Sequence, residues 1–205
     1  MGGYVFPPHK GDCAMCGFCG FTGELTDRET YLRQMTEKIT HRGPDSDGYY
    51  MDDCLAMGFR RLSIIDLEAA SQPLYNEDKS LVLMFNGEIY NYKELRQELQ
   101  ALGHTFATAG DGETLLHGYE QWGADLLPRL RGMFAFAIWD KKKQQLFGAR
   151  DFFGIKPLYY AKMGGTFMFG SEIKSFLEHP HFNKVFKEKC GVTPAQYRRT
   201  FNYEY

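Results

Sequence analysis

The strongest constraint on the fold of this chain is the way its apolar residues change period, with two groups of strand-like runs and helical stripes falling between them. "CGFCGF" at 16–21 alternates small and aromatic residues like a short strand, and "TYLRQMTEKI" then sets Leu32, Met35 and Ile39 on one helical face. After "HRGPDSDG", dense in turn formers, "CLAMGFRR" and "LVLMFN" read as strands of one sheet. "NYKELRQELQAL" places Tyr92, Leu95, Leu99 and Leu102 at helical spacing, with Gly103 where a helix C-terminal glycine belongs. "GETLLHGYEQW" repeats the pattern with Leu115, Leu116, Tyr119 and Trp122, and a short turn follows near "DLLPRL". "MFAFAIWD", "QQLFGAR", "PLYYAK" and "TFMFGS" then read as an antiparallel meander with turns at Lys141 to Lys143 and Gly164 to Gly165. Such an order predicts two sheets packed face to face with helices outside, an α+β sandwich of four layers.

With 205 residues, 43% of them hydrophobic, the chain can bury one sizeable core. Its 24 Lys and Arg nearly cancel its 26 Asp and Glu, so the total charge points neither to nucleic acid nor to an anionic membrane, and a small or zwitterionic substrate is the natural expectation. No apolar run approaches the roughly 18 residues of a membrane span, and the first residues lack the basic and apolar regions of a secretory signal, so a cytoplasmic location is expected. Residues 1–15, with glycines and two consecutive prolines, read as an irregular leader or propeptide, 16–181 as the folded domain, and 182–205 as a basic and aromatic tail. Five cysteines, three of them clustered, are too few and too uneven for a disulfide framework, and Cys54 reads as a small buried or edge residue.

"DCAMCGFCGF" spaces Cys13, Cys16 and Cys19 evenly, which raises two possibilities. An iron–sulfur cluster or a zinc ion needs a fourth ligand, and Cys54, His9 and His41 stand at no recognised spacing from the three. The other possibility is a nucleophile. A thiol needs a nearby base to attack as thiolate, and a chain that begins at the cysteine supplies its own amine, which titrates near 7.7 to 8. Met15 before Cys16 suits that arrangement, with Cys19 then a strand residue.

"MCGFCGF", "HRGPDSDG", "FRRLSIID", "FNGEIYNY", "GDGET", "RGMFAFAIWD", "ARDFFGIKPLYY" and "FGSEIKSF", in that order, resemble the class II glutamine amidotransferase domain of the asparagine synthetase type, from Met15 to about His181. The resemblance implies the N-terminal nucleophile hydrolase sandwich and hydrolysis of glutamine to glutamate and ammonia through a thioester. It makes Cys16 the nucleophile with its freed amine as base, and Asn86 and Gly87 the oxyanion donors. Taken alone, the "NG" pair would read as a hairpin turn. Arg61 is implied as the partner of the glutamine α-carboxylate, and Glu88 and Asp111 as acceptors around the α-ammonium. His41, Arg42 and Asp151 are expected to serve the scaffold, and no metal is expected.

Two departures accompany the resemblance. Residues ahead of Met15 would hold the Cys16 nitrogen in an amide, which is no base, so activity is expected only when Cys16 is exposed as the first residue. The family continues into an ATP-using synthetase domain, whereas this sequence holds neither an SGGxDS-type nor a GxxxxGK[ST] loop. ATP and magnesium would belong to that missing domain, and the ammonia acceptor would be a separate synthetase domain or subunit. "FNKVFKEKCGVTPAQYRRTF" is similar to the end of an AraC-type DNA-binding region but too short to form that domain, so nucleic acid is not an expected partner. A catalytically idle interaction or regulatory module is the alternative reading.

Overall fold

The computed structural model describes residues 15–62 and 71–200; the expected leader, apart from Met15, and Cys13 lie outside the described residues. Among the described residues, nine strands form two antiparallel sheets. The five-stranded sheet has the order β2 (Ser46–Met51), β3 (Leu55–Arg61), β1 (Gly17–Thr22), β9 (Thr166–Gly170), β8 (Tyr159–Met163). The four-stranded sheet has the order β4 (Leu74–Tyr75), β5 (Leu81–Ile89), β6 (Gly132–Asp140), β7 (Gln145–Arg150).

Alternation along each strand builds the four expected layers. On β5, Val82 and Met84 turn toward the other sheet and meet Phe18, Met57, Phe59 and Trp139. Leu81, Leu83 and Phe85 turn the opposite way, onto α2 (Tyr92–Ala101) and α3 (Asp111–Trp122). On β1, Phe18 joins the layer between the sheets while Cys19 and Phe21 face Leu32 and Met35 of α1 (Arg28–Glu37) and Ile39 just past its end. This is the four-layer α+β sandwich that the sequence pattern predicts, and it agrees with the N-terminal nucleophile fold that the resemblance implies.

Two expectations about pairing need correction. β3 and β5 belong to different sheets, and the run from β6 to β9 is two hairpins in different sheets rather than one meander. Strands buried on both faces carry apolar residues at every position, so periodicity cannot say which sheet receives them. The chain changes sheet at 151–158, where the Asp151 carboxylate accepts from the N–H groups of Phe134 (3.2 Å), Ile155 (2.9 Å) and Lys156 (2.9 Å). Burial pushes this carboxyl up, but those donors outweigh it and hold it below its ordinary value, which fits the expected scaffold role.

Helix ends follow the sequence more closely. Gly103 adopts φ +99° just past α2, whereas Leu102 is 52% exposed and leaves the apolar stripe. Cys54 is exposed in the turn before β3 rather than buried. The tail forms α4 (Pro180–Cys190) and α5 (Pro194–Thr200), and Phe182 of α4 packs on Phe176 in the outer layer of the five-stranded sheet. Among the described residues no helix is long and apolar enough to cross a membrane.

Candidate active site

Cys16 stands immediately before β1, half-buried, where its Sγ lies between the two backbone polar groups of Leu62. It accepts from the Leu62 N–H at 3.4 Å and donates toward the Leu62 carbonyl at 3.7 Å. Arg42 steadies the residue from behind, its Nε donating to the Cys16 carbonyl at 3.2 Å. Gly17 permits that approach, since a Cβ there would lie 2.9 Å from Arg42 Cδ and Nε. Arg42 and His41 both bond Glu172, at 3.2 and 2.7 Å. Burial pushes the Glu172 carboxyl up, but Lys174, His41 and Arg42 outweigh it and hold it down. His41 and Arg42 thus make contacts of the kind expected of scaffold residues, with Arg42 reaching Cys16 through its backbone.

The other cysteine on this strand has a different environment. Cys19 is fully buried among the α1 contacts, and burial pushes its thiol up to about 12 despite a 3.5 Å contact with Thr36 Oγ1. Cys16 packs against the layer between the sheets and Cys19 on the far face, so the two sulfurs do not converge on a common ligand.

A cavity of about 390 Å³ opens at Cys16, and all six residues that the sequence singles out, Cys16, Arg61, Asn86, Gly87, Glu88 and Asp111, line it. Its size lies within the roughly 300–1,000 Å³ typical of small-molecule sites. Arg61 ends β3, one residue before the Leu62 backbone that holds the sulfur, and is almost fully buried. Glu88 is exposed on β5, and Asp111 is the first residue of α3. Burial pushes the Asp111 carboxyl up, and the nearby charge of Glu88 adds to the effect.

The free edge of β5 is the most informative part of the cavity. Backbone N–H and C=O groups alternate sides along an antiparallel strand, so residues 83, 85, 87 and 89 present theirs on the same edge. Leu83 pairs with Leu74 of β4. Phe85 is bonded in both directions by the Gln72 side chain, its N–H donating to Oε1 at 2.6 Å and its carbonyl accepting from Nε2 at 2.7 Å. The Ile89 N–H donates to Asp111 Oδ2 at 2.9 Å. Gly87, between them, faces Phe134 across β6, but the Phe134 N–H and carbonyl are both engaged by Asp151, at 3.2 and 2.7 Å. The Gly87 N–H is thus aimed at the cavity edge. Beside it Asn86, 3% exposed, holds a buried Nδ2 with no hydrogen-bond partner.

"NG" is therefore strand and not turn, with Asn86 opposite Ala135. Gly87 sits at φ +149°, and a Cβ on it would lie 2.2 Å from the Met133 carbonyl oxygen.

Residues 15–196 match the family described as "Glutamine amidotransferase domain". The chain belongs to that family. This amidotransferase domain is 49% identical over 179 residues to "Asparagine synthetase [glutamine-hydrolyzing] 1" of Bacillus subtilis, covering 85% of this chain and 28% of the relative. To synthetase 2 of the same organism it is 44% identical over 184 residues, covering 87% and 24%. The chain thus spans about a quarter of the length of these relatives. Among solved structures, glutamine phosphoribosylpyrophosphate amidotransferase from B. subtilis superimposes with a TM-score of 0.67 at 23% identity, over 78% of this chain and 43% of that one. The allosteric regulatory enzyme of purine biosynthesis does so with a TM-score of 0.68 at 22% identity, over 80% and 43%. At these identities the likeness is one of fold.

Several residues of the amidotransferase cavity escape sequence reasoning. Gln72 carries no signal and Leu62 only its place in "FRRLSIID", because what matters is where their polar groups fall against another strand. Glu113 accepts from the N–H groups of Ala107 and Thr108, each at 2.7 Å, and so shapes the cavity wall at Thr108. Lys156 also lines the cavity, nearly buried, with Nζ 2.9 Å from Met15 Sδ. Its place in "ARDFFGIKPLYY" is the one signal that marked it.

Proposed function

We propose that this domain hydrolyses glutamine to glutamate and ammonia, and that the ammonia serves asparagine synthesis from aspartate. The observation that carries the reading is that Asn86, whose buried Nδ2 has no hydrogen-bond partner among the described residues, and Gly87, on the outer edge of β5, line one cavity with Cys16. An unengaged buried donor costs stability and persists where a ligand atom completes it. The relatives named as glutamine-hydrolysing asparagine synthetases support the substrate and the destination.

In this reading the freed amine of Cys16 takes the thiol proton, and the thiolate attacks the glutamine side-chain amide carbon. Charge builds on the amide oxygen, where Asn86 Nδ2 and Gly87 N–H meet it. The amine returns its proton to the leaving nitrogen, ammonia departs, and water then cleaves the thioester to give glutamate. Arg61 receives the α-carboxylate with its planar fork, while Glu88 and Asp111 accept from the α-ammonium. Lys156, whose ammonium contacts the residue just ahead of Cys16, favours the unprotonated form of that amine. Aspartate activation by ATP belongs to the remainder of a synthetase, on the same polypeptide or on a separate subunit, and to a cytoplasmic setting.

The competing reading, an idle interaction module, draws support from the amide bond that joins Met15 to Cys16 in this sequence. A glutaminase assay on protein beginning at Cys16 decides between them. Release of glutamate that disappears in Cys16→Ala is the expected result; no release from the protein with Cys16 exposed would overturn the enzyme.

A further inference from the structure

A second group of side chains gathers on the far part of α3, outside the glutamine cavity. His117 is 1% exposed in the middle of the helix, Glu120 lies one turn further on, and His104 lies on the segment that joins α2 to α3. Glu120 Oε2 is 2.9 Å from His117 Nδ1 and 3.7 Å from His104 Nδ1. The three residues each offer one ligand atom, all within 4.8 Å of one another.

The outer nitrogens of both rings face oxygen. His104 Nε2 is 3.1 Å from Gln121 Oε1, while His117 Nε2 looks toward Glu113 Oε1 at 3.6 Å and Glu77 Oε1 at 3.8 Å. The His117 Nδ1 proton is directed at the Glu120 carboxylate; a cation bound there would displace it and leave the ring proton on Nε2, facing Glu113 and Glu77, as in metal-bound histidines whose second nitrogen is held by an outer oxygen. Yet the buried His117 Nε2 makes no hydrogen bond. The ring is drawn to Glu120 and falls short of Glu113 and Glu77.

A cation explains that gap. Ligand atoms about 2.0–2.1 Å from a tetrahedral ion stand about 3.3 Å apart. Inserting one would widen the 2.9 Å contact between His117 and Glu120 and move Nε2 toward its two carboxylates. Glu77, Glu113 and Glu120 also surround the site with negative charge that favours a cation.

From this geometry we infer that His104, His117 and Glu120 form a divalent-metal site of the zinc class, with two imidazoles, one carboxylate and a position left to water. The ion would tie the 103–110 segment to α3, and so fix Thr108 and Gly110 in the cavity wall ahead of Asp111. Its role is structural, at a distance from the sulfur chemistry.

Calorimetric titration of the full chain with Zn²⁺, and Co²⁺ absorption on the same protein, test the site. The expected result is one ion per chain with micromolar or tighter affinity, and Co²⁺ bands without a thiolate charge-transfer feature. His104→Gln and Glu120→Gln, chosen because both positions reach solvent and spare the buried His117, should each weaken binding by more than the roughly 10–100-fold typical of losing an outer partner, while their circular dichroism stays that of the parent. Absence of saturable binding, binding undiminished in both variants, or a thiolate charge-transfer band would overturn the site.

Discussion

Replacing Asn86 by Ala separates what the residue does for the reaction from what it does for the fold. On the proposed mechanism the substitution removes one of two donors at the point where charge develops, and loss of one such donor lowers kcat by about 10²–10³, or about 2.7–4 kcal/mol of transition-state stabilisation. KM should move little, because the donor meets the oxyanion and not the ground-state glutamine. For the fold the sign is different. The Asn86 Nδ2 is buried and unpartnered, and a buried unsatisfied amide costs about 1–3 kcal/mol, so deleting it offsets much of the packing lost with the side chain. Net stability should stay within about 1 kcal/mol of the parent. Steady-state glutaminase kinetics on protein beginning at Cys16, paired with urea melts of the same samples, read both quantities. A kcat within tenfold of the parent, or a stability loss beyond about 2 kcal/mol, would refute the reasoning, since the second outcome means that the amide is engaged within the fold.

Asp111 has a carboxyl raised above its ordinary 3.8 chiefly by burial, so the folded protein binds more protons than the unfolded chain between that value and the raised one, and stability falls as pH climbs through the window. Asp111→Asn should therefore be more stable than the parent at pH 7 in a thermal melt, while its KM for glutamine rises; a less stable variant would contradict the burial argument. In protein beginning at Cys16, Lys156→Met should shift the acidic limb of the kcat/KM profile to higher pH, and an unmoved limb would remove Lys156 from the amine's surroundings. Iodoacetamide at pH 8 should modify Cys16, Cys54 and Cys190 before Cys19, whose thiol burial pushes up to about 12; peptide mass mapping that finds Cys19 alkylated as fast as Cys54 would show that its side of the sheet opens.

The helices and most strand positions were legible because each amphipathic stripe, such as Leu32, Met35 and Ile39, has one face to bury and only one element to bury it against. Sheet membership was not legible. Val82 and Leu83 are both buried, on opposite faces, and a strand of that kind gives no clue to its neighbour. The same limit applied to the cavity. The six residues marked by motif all reach it, yet the groups that make Gly87 available, Gln72 on one side and Asp151 on the other, act on backbone atoms that every residue carries. Leu102 missed its stripe because the helix ends at Ala101 and the next residue turns outward.

The open rung on β5 gives the substrate a part to play in the architecture. Leu74, Gln72 and Asp111 each act in turn as a surrogate neighbour along that margin, and Gly87 falls between the places held by the last two. A glutamine whose amide oxygen settles there would stand in as the absent residue of an adjoining strand, so amide exchange in β5 should slow while the acyl group is attached and quicken again once glutamate leaves.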